Sequence, residues 1–598
     1  MTPKNIELGY VKRPLIDLYH LEKTDPTQLS LEDQEKHYRP LNIVNLQQYQ
    51  PIYSLFFDMT ENNYNSIQLN NRRQVVNMTT TFDTETNLNT TNDIFIKYSP
   101  LFDPIKYMIG KYGTDTSNPD LLLPTLTGIH ADDTTTHENN SISRKKMDSV
   151  YNASYVDGFF CYLSSKLLNN HGFKHGMDYY GSYLGIQKQF KMNIVDDYSY
   201  LLNSTFFNLH LNKLFKTTHQ DFIHSLLNKN SRANRHKLFI QDSTENLDIL
   251  SANDPLDLNI EELDAPTQTH HENSGDVLEN IYQQTEPVYD THADNSDSEN
   301  NYSSEEDTAS NSDDFSTSLQ SSNVGEHDSD EDEDEEEDEE EDDEEDDEPE
   351  NIYAYINDFP VQMIFLEKCD GTLDELFESG LDDKHAASAL FQVIMTLIAY
   401  QRAFRFTHND LHTNNIMFKK TEQEFLYYKY QNVTYKVPTY GKIFKIIDFG
   451  RSIYHFHGHR FCSDSFSPGG DAATQYNCEP YFNENKPRIE PNDSFDLCRL
   501  GTSIFDFVFD IDDPDHTKKM TPLQATIMRW CTDDAGKNVL YKRNGEERYP
   551  NFKLYKMIAR NVHEHTPQAQ LNFPLFKQFR FKGKPHNILM NIDLIPPA

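Results

Sequence analysis

Two short polar segments in the second half of the chain carry the residue types that metal-dependent phosphoryl transfer needs. The first, THNDLHTNNIMF, covers residues 407–418, and the second, FKIIDFG, covers residues 444–450. In them, the Asp410 carboxylate can orient an attacking hydroxyl, and the oxygens of Asn415 and Asp448 are ligands that Mg²⁺ prefers. The alternative is a turn at a helix end followed by an unrelated strand, because Asn and Asp are common turn residues.

The elements that must position these residues can also be read from the sequence. An apolar stretch with helical spacing, residues 389–404, leads into the first polar segment, and an apolar strand precedes Asp448. The order His-x-Asp-Leu-x-x-x-Asn followed by Asp-Phe-Gly resembles the catalytic and metal-binding loops of protein kinases. Residues 496–501 (DLCRLG) resemble the start of the kinase helix whose Asp, here Asp496, braces the catalytic loop. The resemblance implies an α+β, protein-kinase-like fold with two lobes, a small β-rich N-lobe and a mainly helical C-lobe.

The acidity of the chain is confined to one segment. The 598 residues carry a formal net charge of −44 at pH 7, with 97 acidic and 53 basic residues. Residues 241–350 hold 43 of the acidic residues and no Lys or Arg, so the rest of the chain, with 54 acidic residues, is nearly neutral. We therefore expect no direct binding of nucleic acid. Self-repulsion and scarce apolar side chains predict that this segment is disordered, either as a solvated tether or as a tract that recruits basic proteins.

Cysteine content and hydropathy indicate the environment of the protein. The six Cys residues include no Cys-x-x-Cys pair, which favours reduced thiols over a disulfide framework. The first residues lack the apolar core of a signal peptide, and no stretch approaches the apolar length of a membrane span. We expect a soluble intracellular protein with no membrane contact.

The first third of the chain predicts strands and one long helix. Between residues 52 and 96, short apolar runs, beginning with IYSLFF, alternate with Asn- and Thr-rich turns and predict β-strands. Residues 93–98 (DIFIKY) look like the kinase strand whose Lys contacts the α- and β-phosphates, which assigns that role to Lys97. Residues 151–168 have helical spacing, and Asp157 is the only carboxylate inside that helix. Asp157 is either the acidic partner of Lys97 or a solvated helix position.

Two later strands complete the predicted small lobe. Residues 178–186 look like the strand that follows the long helix, and residues 361–373 resemble the last strand of the lobe and the hinge between the lobes. By that resemblance, backbone groups of Glu367 to Cys369 contact the adenine of ATP. The acidic segment then lies between two neighbouring strands, and its ends have to stay close in space. The predicted division of the chain is an N-terminal extension (1–40), the first part of the N-lobe (41–188), a partly ordered insertion (189–240), a disordered acidic insertion (241–350), the last N-lobe strand and hinge (351–370) and the C-lobe (371–598).

The last part of the chain predicts a hairpin, a loop and helices. Residues 425–444 are longer than the usual link to Asp-Phe-Gly and predict an extended hairpin. Residues 451–492 occupy the place of the kinase activation segment and predict a polar, loosely ordered loop. The alternative is a zinc site, since this segment contains four potential ligands: His455, His457, His459 and Cys462. Beyond it the chain predicts mainly helices, most clearly over residues 525–530 and 552–562.

The chain resembles the serine/threonine-protein kinases of nucleocytoplasmic large DNA viruses over most of residues 50–188 and 352–565. Three phrases carry the likeness: residues 95–104 (FIKYSPLFDP), residues 408–416 and residues 494–500 (SFDLCRL). The resemblance implies an enzyme that uses ATP and Mg²⁺ to transfer the γ-phosphate to Ser or Thr of protein substrates. It also implies a location in the host cytoplasm or in the virion.

The resemblance assigns roles to individual residues. Asp410 would accept or orient the proton of the acceptor hydroxyl, Asn415 and Asp448 would hold Mg²⁺, and Lys97 would hold the phosphates of ATP. His412 stands where protein kinases usually have Lys, and it can donate a hydrogen bond to the transferring phosphoryl group.

Three departures from the kinase pattern keep other functions open. Asn409 replaces the usual Arg that grips a phosphorylated activation segment, so we expect activity without phosphorylation there. An Asp-Leu-His order like that ending at His412 also occurs in small-molecule kinases, which leaves a small-molecule phosphotransferase as an alternative. No Gly lies between Gly9 and Lys97, so the Gly-rich loop that covers the phosphates is missing. A pseudokinase scaffold whose acidic tract recruits basic proteins is therefore a further alternative.

Overall fold

The computed structural model describes residues 5–13, 15–17, 38–112, 122–126, 142–219, 351–509, 520–542, 545–550, 552–585 and 589–598. All of them belong to one compact unit, formed by Met1–Arg232 and Asp347–Ala598. Residues 233–346 lie outside the described residues. The predicted disorder of residues 241–350 and the last part of the predicted insertion 189–240 therefore also lie outside them.

The described residues form a mixed α+β fold with several small sheets, so the predicted α+β class is confirmed. The strands are β1 (Tyr10–Lys12), β2 (Ile43–Gln47), β3 (Ile67–Leu69), β4 (Arg73–Asn77), β5 (Thr80–Asp83), β6 (Leu88–Thr91), β7 (Ile94–Pro100), β8 (Tyr179–Asn193), β9 (Phe215–Thr217), β10 (Tyr353–Glu367), β11 (Gly371–Thr372), β12 (Ile416–Lys420), β13 (Phe425–Tyr430), β14 (Val433–Pro438), β15 (Lys442–Ile446), β16 (Ile453–Phe456), β17 (His459–Cys462), β18 (Arg580–Phe581) and β19 (Leu589–Asn591). The helices are α1 (Pro104–Met108), α2 (Ile142–Asp148), α3 (Ala153–His171), α4 (Tyr198–Leu202), α5 (Thr205–His210), α6 (Leu373–Glu378), α7 (Asp383–Phe404), α8 (Phe495–Val508), α9 (Pro522–Trp530), α10 (Lys553–Asn561), α11 (Pro567–Gln570) and α12 (Pro574–Lys577).

A five-stranded antiparallel sheet contains the strand with Lys97. Its strands follow the order β2-β8-β10-β7, and β9 also pairs with β10. In β7, the buried side chains of Ile94 and Ile96 alternate with Phe95 and Lys97. Because successive side chains of a strand point to opposite faces, Lys97 lies on the face that does not carry Ile96. Ser99 lies on the same face as Lys97 and hydrogen-bonds Ser154 of α3 over 3.0 Å, so this face is turned towards α3.

Residues 220–350 lie outside the described residues, and the strands on the two sides of this gap, β9 and β10, are neighbours in this sheet. β9 pairs with β10 with Thr217 opposite Ala354. The Thr218 N–H donates to the Tyr353 carbonyl over 2.9 Å, and the Tyr353 N–H donates to the Thr218 hydroxyl, also over 2.9 Å. Residues 217–218 and 353–354 are therefore neighbours, whereas residue 241, where the predicted acidic insertion begins, lies outside the described residues.

Helix α7 carries the chain into the first polar segment. Asp382 caps its first turn by accepting from the N–H groups of Lys384 and His385. Beyond that turn nearly every side chain is buried, and the helix ends at Arg405, whose φ of 47° is left-handed. The helix predicted from the apolar periodicity of residues 389–404 is therefore present. Because α7 is buried, it holds the start of the first polar segment in place.

A three-stranded sheet brings the two polar segments together. Its order is β11-β12-β15, and Ile416 at the start of β12 pairs with Ile446 at the end of β15. The Ile447 N–H donates to the Asn415 carbonyl over 3.0 Å. The residues that precede β12 and those that follow β15 therefore lie side by side.

The predicted hairpin over residues 425–444 is present as the β13–β14 pair, and a buried histidine packs beside it. The Nδ1–H of His175 donates to the Phe444 carbonyl, and its Nε2 accepts from the Tyr428 hydroxyl, each over 2.7 Å. Burial lowers the pKa of His175 to about 3, so the ring is neutral at pH 7.

Two predicted features are wrong. Residues 52–57 do not form a strand, because Pro51–Leu55 is a 3₁₀ helix; Pro51 at its first position supplies a helical φ and no N–H for a strand ladder. Residues 451–492 are not a loosely ordered loop, because β16 and β17 form a hairpin in which Tyr454 and Phe461 are buried. The Tyr454 hydroxyl donates to the carbonyl of Val156 in α3 over 2.9 Å, which fixes the hairpin against that helix.

Two further features are absent from the part of the chain that the structure describes. No group of three or more His, Cys, Asp and Glu side chains is arranged there to hold a metal ion, which includes the described His and Cys residues of β16 and β17. None of the helices described has both the length and the apolar character needed to cross a membrane.

Candidate active site

The buried carboxylate of Asp496 holds the backbone of the first polar segment. Asp496 is fully buried in the first turn of α8, and it accepts from the N–H of His408 at 3.1 and 2.9 Å and from the N–H of Asn409 at 2.9 Å. Asn409 has a left-handed φ of 66°, which Asn tolerates better than most residues. The predicted contact between Asp496 and this segment is therefore present.

Asn409 itself is held by neutral partners. Its amide oxygen accepts from the Tyr476 hydroxyl at 2.8 Å, and its amide nitrogen donates to the Arg451 carbonyl at 2.8 Å. The side chain is fully buried. Asn409 stands where protein kinases usually have Arg. Its uncharged hydrogen bonds connect the first polar segment to the segment that follows β15.

A hydroxyl and two guanidinium groups surround the Asp410 carboxylate. The Tyr555 hydroxyl donates to Oδ1 of Asp410 over 2.7 Å, and Nε of Arg499 donates to the same hydroxyl over 2.9 Å. Since a guanidinium can only donate, the Tyr555 proton must point at Asp410. Nη1 of Arg451 lies 3.5 Å from Oδ2. Oδ1 is therefore held by Tyr555, and Oδ2 faces the Arg451 guanidinium.

Tyr555 and Arg499 were missed by the sequence reasoning. Tyr555 lies 145 residues from Asp410 along the chain. Its position in α10 carries no local signal of contact with a distant carboxylate. Arg499 lies in a segment that the sequence singled out, but only because of Asp496.

Asn415 and His412 lie on the short turn after Asp410. The amide nitrogen of Asn415 donates to the Asp410 carbonyl over 2.9 Å, which leaves the amide oxygen of Asn415 available to a ligand. Burial lowers the pKa of His412 more than the nearby Asp410 charge raises it. His412 is therefore neutral at pH 7 and can act as a hydrogen-bond donor but not as a fixed cation.

Lys97, Asp157 and Asp448 form an ion cluster. Nζ of Lys97 lies 2.5 Å from Oδ2 of Asp157 and 2.7 Å from Oδ1 of Asp448. The Asp157 side chain is 1% exposed, whereas that of Asp448 is 50% exposed. Although burial opposes the ammonium charge, the two carboxylates raise the pKa of Lys97 above its ordinary value. The charge of Lys97 lowers the pKa of Asp448 to about 2, so Asp448 is ionised at every physiological pH.

The ion pair between Lys97 and Asp157, one of the two alternatives for Asp157, is therefore confirmed. A short Asp side chain reaches Lys97 because α3 lies close to the sheet. A Cβ atom at Gly158 would lie 2.3 Å from Nε2 of Gln362 on β10, a side chain that is fully buried. Gly158 thus permits the close approach.

Phe449 fixes the direction of Asp448. Its ring is fully buried and packs on Phe160 of α3, with ring centroids 4.6 Å apart. Its N–H donates to Oδ1 of Asp157 over 2.9 Å. Asp448, with a left-handed φ of 62°, then turns its carboxylate towards Lys97. Helix α3 therefore positions both the lysine and the second carboxylate.

In the predicted adenine-binding segment, some backbone groups already form hydrogen bonds within the protein. The Glu367 N–H donates to the Asp178 carbonyl over 3.0 Å, so it is not available to a ligand. The Glu367 carboxylate is buried and accepts from Lys445 at 2.6 Å and from the Asp178 N–H at 2.8 Å. Among the described residues no group accepts a hydrogen bond from the Cys369 N–H. Burial raises the pKa of the Cys369 thiol to about 12, so it stays protonated.

The side chains at the end of the two polar segments fit a hard divalent cation. In the described part of the chain, neither the amide oxygen of Asn415 nor the second carboxylate oxygen of Asp448 accepts a hydrogen bond from another side chain. Oxygen ligands of this kind suit Mg²⁺, which usually takes one or two protein ligands and completes its shell with phosphate and water.

Neither a protein-family model nor a curated protein matches the sequence.

Proposed function

We propose that this protein is a kinase that uses ATP and Mg²⁺ to phosphorylate Ser or Thr residues of proteins, on a two-lobed, kinase-like scaffold. One observation carries the proposal. The ion cluster of Lys97, Asp157 and Asp448 is joined through the Ile447–Asn415 hydrogen bond to the turn that bears Asp410. A lysine for phosphates, two oxygen ligands for a metal and a carboxylate for the acceptor hydroxyl are the groups that phosphoryl transfer requires.

Each of these groups has a role that follows from its surroundings. Oδ2 of Asp410 orients the acceptor hydroxyl, because Oδ1 is held by Tyr555. Lys97, kept charged by two carboxylates, neutralises phosphate oxygens of ATP. Asn415 and Asp448 would hold Mg²⁺, which supplies charge neutralisation at the transferring phosphate when bound. The neutral His412 donates a hydrogen bond to the phosphoryl group, and the Cys369 N–H is available for the adenine.

Replacement of Asp410 tests this assignment. With labelled ATP, Mg²⁺ and a degenerate Ser/Thr peptide library, Asp410→Asn should reduce transfer by about 100-fold or more, since the amide cannot take up the hydroxyl proton. Asp383→Asn, at an exposed carboxylate in the first turn of α7, is the matched control and should transfer at the wild-type rate. Transfer by Asp410→Asn at the wild-type rate would refute the role of Asp410.

A non-catalytic scaffold is the second candidate, and one observation favours it. The turn between β4 and β5, which precedes the Lys97 strand, has no Gly, and the Thr79 N–H there already donates to the Asn77 side chain over 3.0 Å. That N–H is therefore not free to contact phosphates. Thermal denaturation with Mg²⁺ and ATP separates the two candidates. ATP at about 100 times its Kd adds about 2.7 kcal/mol to the free energy of unfolding, whereas a scaffold that binds no nucleotide shows no shift.

The acceptor class has its own experiment. His412 motivated the small-molecule alternative, so aminoglycosides, choline and sugars are offered beside the peptide library under the same conditions. Transfer to peptides alone supports the proposal. Transfer to a small molecule alone contradicts it.

A further inference from the structure

Helix α10 connects the candidate catalytic carboxylate to a strongly basic surface. Its residue Tyr555 contacts Asp410, as described above. Three cationic residues of the same helix, Lys553, Lys556 and Arg560, are spaced by three and four positions and therefore lie in one row beside Tyr555. The exposed Lys486 comes from the segment that follows β17. We name these four residues the basic row.

The row lies against the segment that follows the second polar segment. The two Nη atoms of Arg560 donate to the carbonyls of Gln475 and Thr474 over 3.2 and 2.9 Å. Lys553, Lys556 and Arg560 lie on one face of α10 because of their spacing. The charges of Arg560, Lys486 and Lys553 add to the effect of burial in lowering the pKa of Lys556, so Lys486 contributes its charge to this face.

Nothing in the described part of the chain neutralises the basic row. None of its four residues forms an ion pair there, although Arg451, which lies over the Tyr555 ring, and Arg488 each pair with carboxylates. Glu484, two residues from Lys486, forms no ion pair with the row either. Like charges at this spacing repel one another, and bound carboxylates would relieve that repulsion.

We propose that the basic row binds acidic residues next to the phosphorylated Ser or Thr, so that the enzyme prefers acidic acceptor segments. This inference rests on the proposed function, because Asp410 fixes where the acceptor hydroxyl lies. Arg560 lies seven positions after Lys553, which corresponds to about 10 Å of helix. An extended peptide covers that length in about three residues, so carboxylates within a few positions of the hydroxyl can reach the row.

Two Ser peptides that differ only in four flanking residues, Glu in one and Gln in the other, provide the test with the full chain, Mg²⁺ and labelled ATP. The acidic peptide should have a kcat/KM about tenfold higher, mainly through a lower KM, and the preference should decline in about 0.5 M salt because exposed ion pairs are screened. Lys553→Glu/Lys556→Glu should abolish the preference, and Lys553→Gln/Lys556→Gln should reduce it. Arg560 is left unchanged because it holds two backbone carbonyls.

Lys384→Glu is the matched control, since it changes an exposed lysine at the far end of α7, about 30 Å of helix from the first polar segment. This variant should keep the preference. Equal kcat/KM for the two peptides in the wild-type protein would overturn the inference while the proposed function stands. No transfer to any peptide would instead count against the proposed function. If the double Glu variant lost affinity for a labelled single-stranded polynucleotide but kept the peptide preference, the row would be a nucleic-acid site and the inference would be wrong.

Discussion

Removal of the Asp157 carboxylate is the perturbation that tests the ion cluster most directly. Asp157 is buried, and it accepts from Lys97 over 2.5 Å and from the Phe449 N–H over 2.9 Å. Asp157→Ala leaves both donors without this acceptor. Asp157→Asn keeps an oxygen for the Phe449 N–H but loses the charge that Lys97 faces.

The size of the effect follows from the burial of the two partners. Removing one member of a buried ion pair costs about 3–5 kcal/mol of folding free energy. Lys97 is 27% exposed and keeps Asp448 at 2.7 Å, so the lower end applies to Asp157→Ala, about 3 kcal/mol. Asp157→Asn should cost about 1–2 kcal/mol, since one hydrogen bond survives. At about 2 °C per kcal/mol for a chain of this size, the melting temperature falls by about 6 °C and about 3 °C respectively.

The same change should also reduce phosphoryl transfer. Without Asp157, Lys97 has only Asp448 as a partner. We expect Lys97 then to move towards Asp448, which is also a candidate metal ligand. A displacement of about 1 Å at reacting groups costs about 100-fold in rate, and we expect a loss of that size for Asp157→Ala.

Differential scanning fluorimetry and the labelled-ATP assay measure the two effects in parallel. Asp196→Ala, at an exposed Asp of the loop before α4, is the control and should change neither quantity. A melting temperature of Asp157→Ala within 1 °C of the wild type, taken as about the precision of the method, would show that the buried ion pair does not form in solution.

The remaining predictions concern other parts of the same framework. Tyr555→Phe removes the hydroxyl that holds Oδ1 of Asp410, so kcat should fall about tenfold with an unchanged KM for ATP; an unchanged kcat would show that this bond does not position the carboxylate. The pKa of His175 is lowered to about 3, so the unfolded chain takes up its proton below about pH 6.5 while the folded chain does not. Its contribution to stability is therefore complete above pH 6.5 and declines by about 1.4 kcal/mol per pH unit below it; His175→Gln should show a shallower loss between pH 6.5 and 5 in urea titrations, and equal slopes would contradict a buried neutral ring. Because Asn409 is held by uncharged groups, phosphatase treatment should leave activity unchanged, and a loss of activity would count against this. Deletion of residues 245–348 should leave the melting temperature and transfer rate nearly unchanged, since the flanking strand β9 already pairs with β10; a soluble but inactive deletion protein would show that the acidic tract contributes directly to catalysis.

Local patterns in the sequence determined a large part of this protein. The helices around residues 151–168 and 389–404 follow from apolar periodicity, and the strands around Lys97 and Glu367 follow from the resemblance to kinase strands. The structure contains all four. The order of the polar residues placed Asp410, Asn415 and Asp448 on turns next to buried strands. The resemblance also placed residues 178–186 beside the strand that ends at Glu367, and β8 pairs with β10.

Tertiary structure alone decided the contacts that give these residues their properties. Tyr555 reaches Asp410 across 145 residues, and the apolar residues of β16 and β17 form a buried hairpin because α3 offers them a surface. The choice of Asp157 as the partner of Lys97 depends on how closely α3 approaches β10 at Gly158. Periodicity reports which face of an element is buried, whereas the partner of a buried polar group depends on the packing distance between elements that are far apart in the chain.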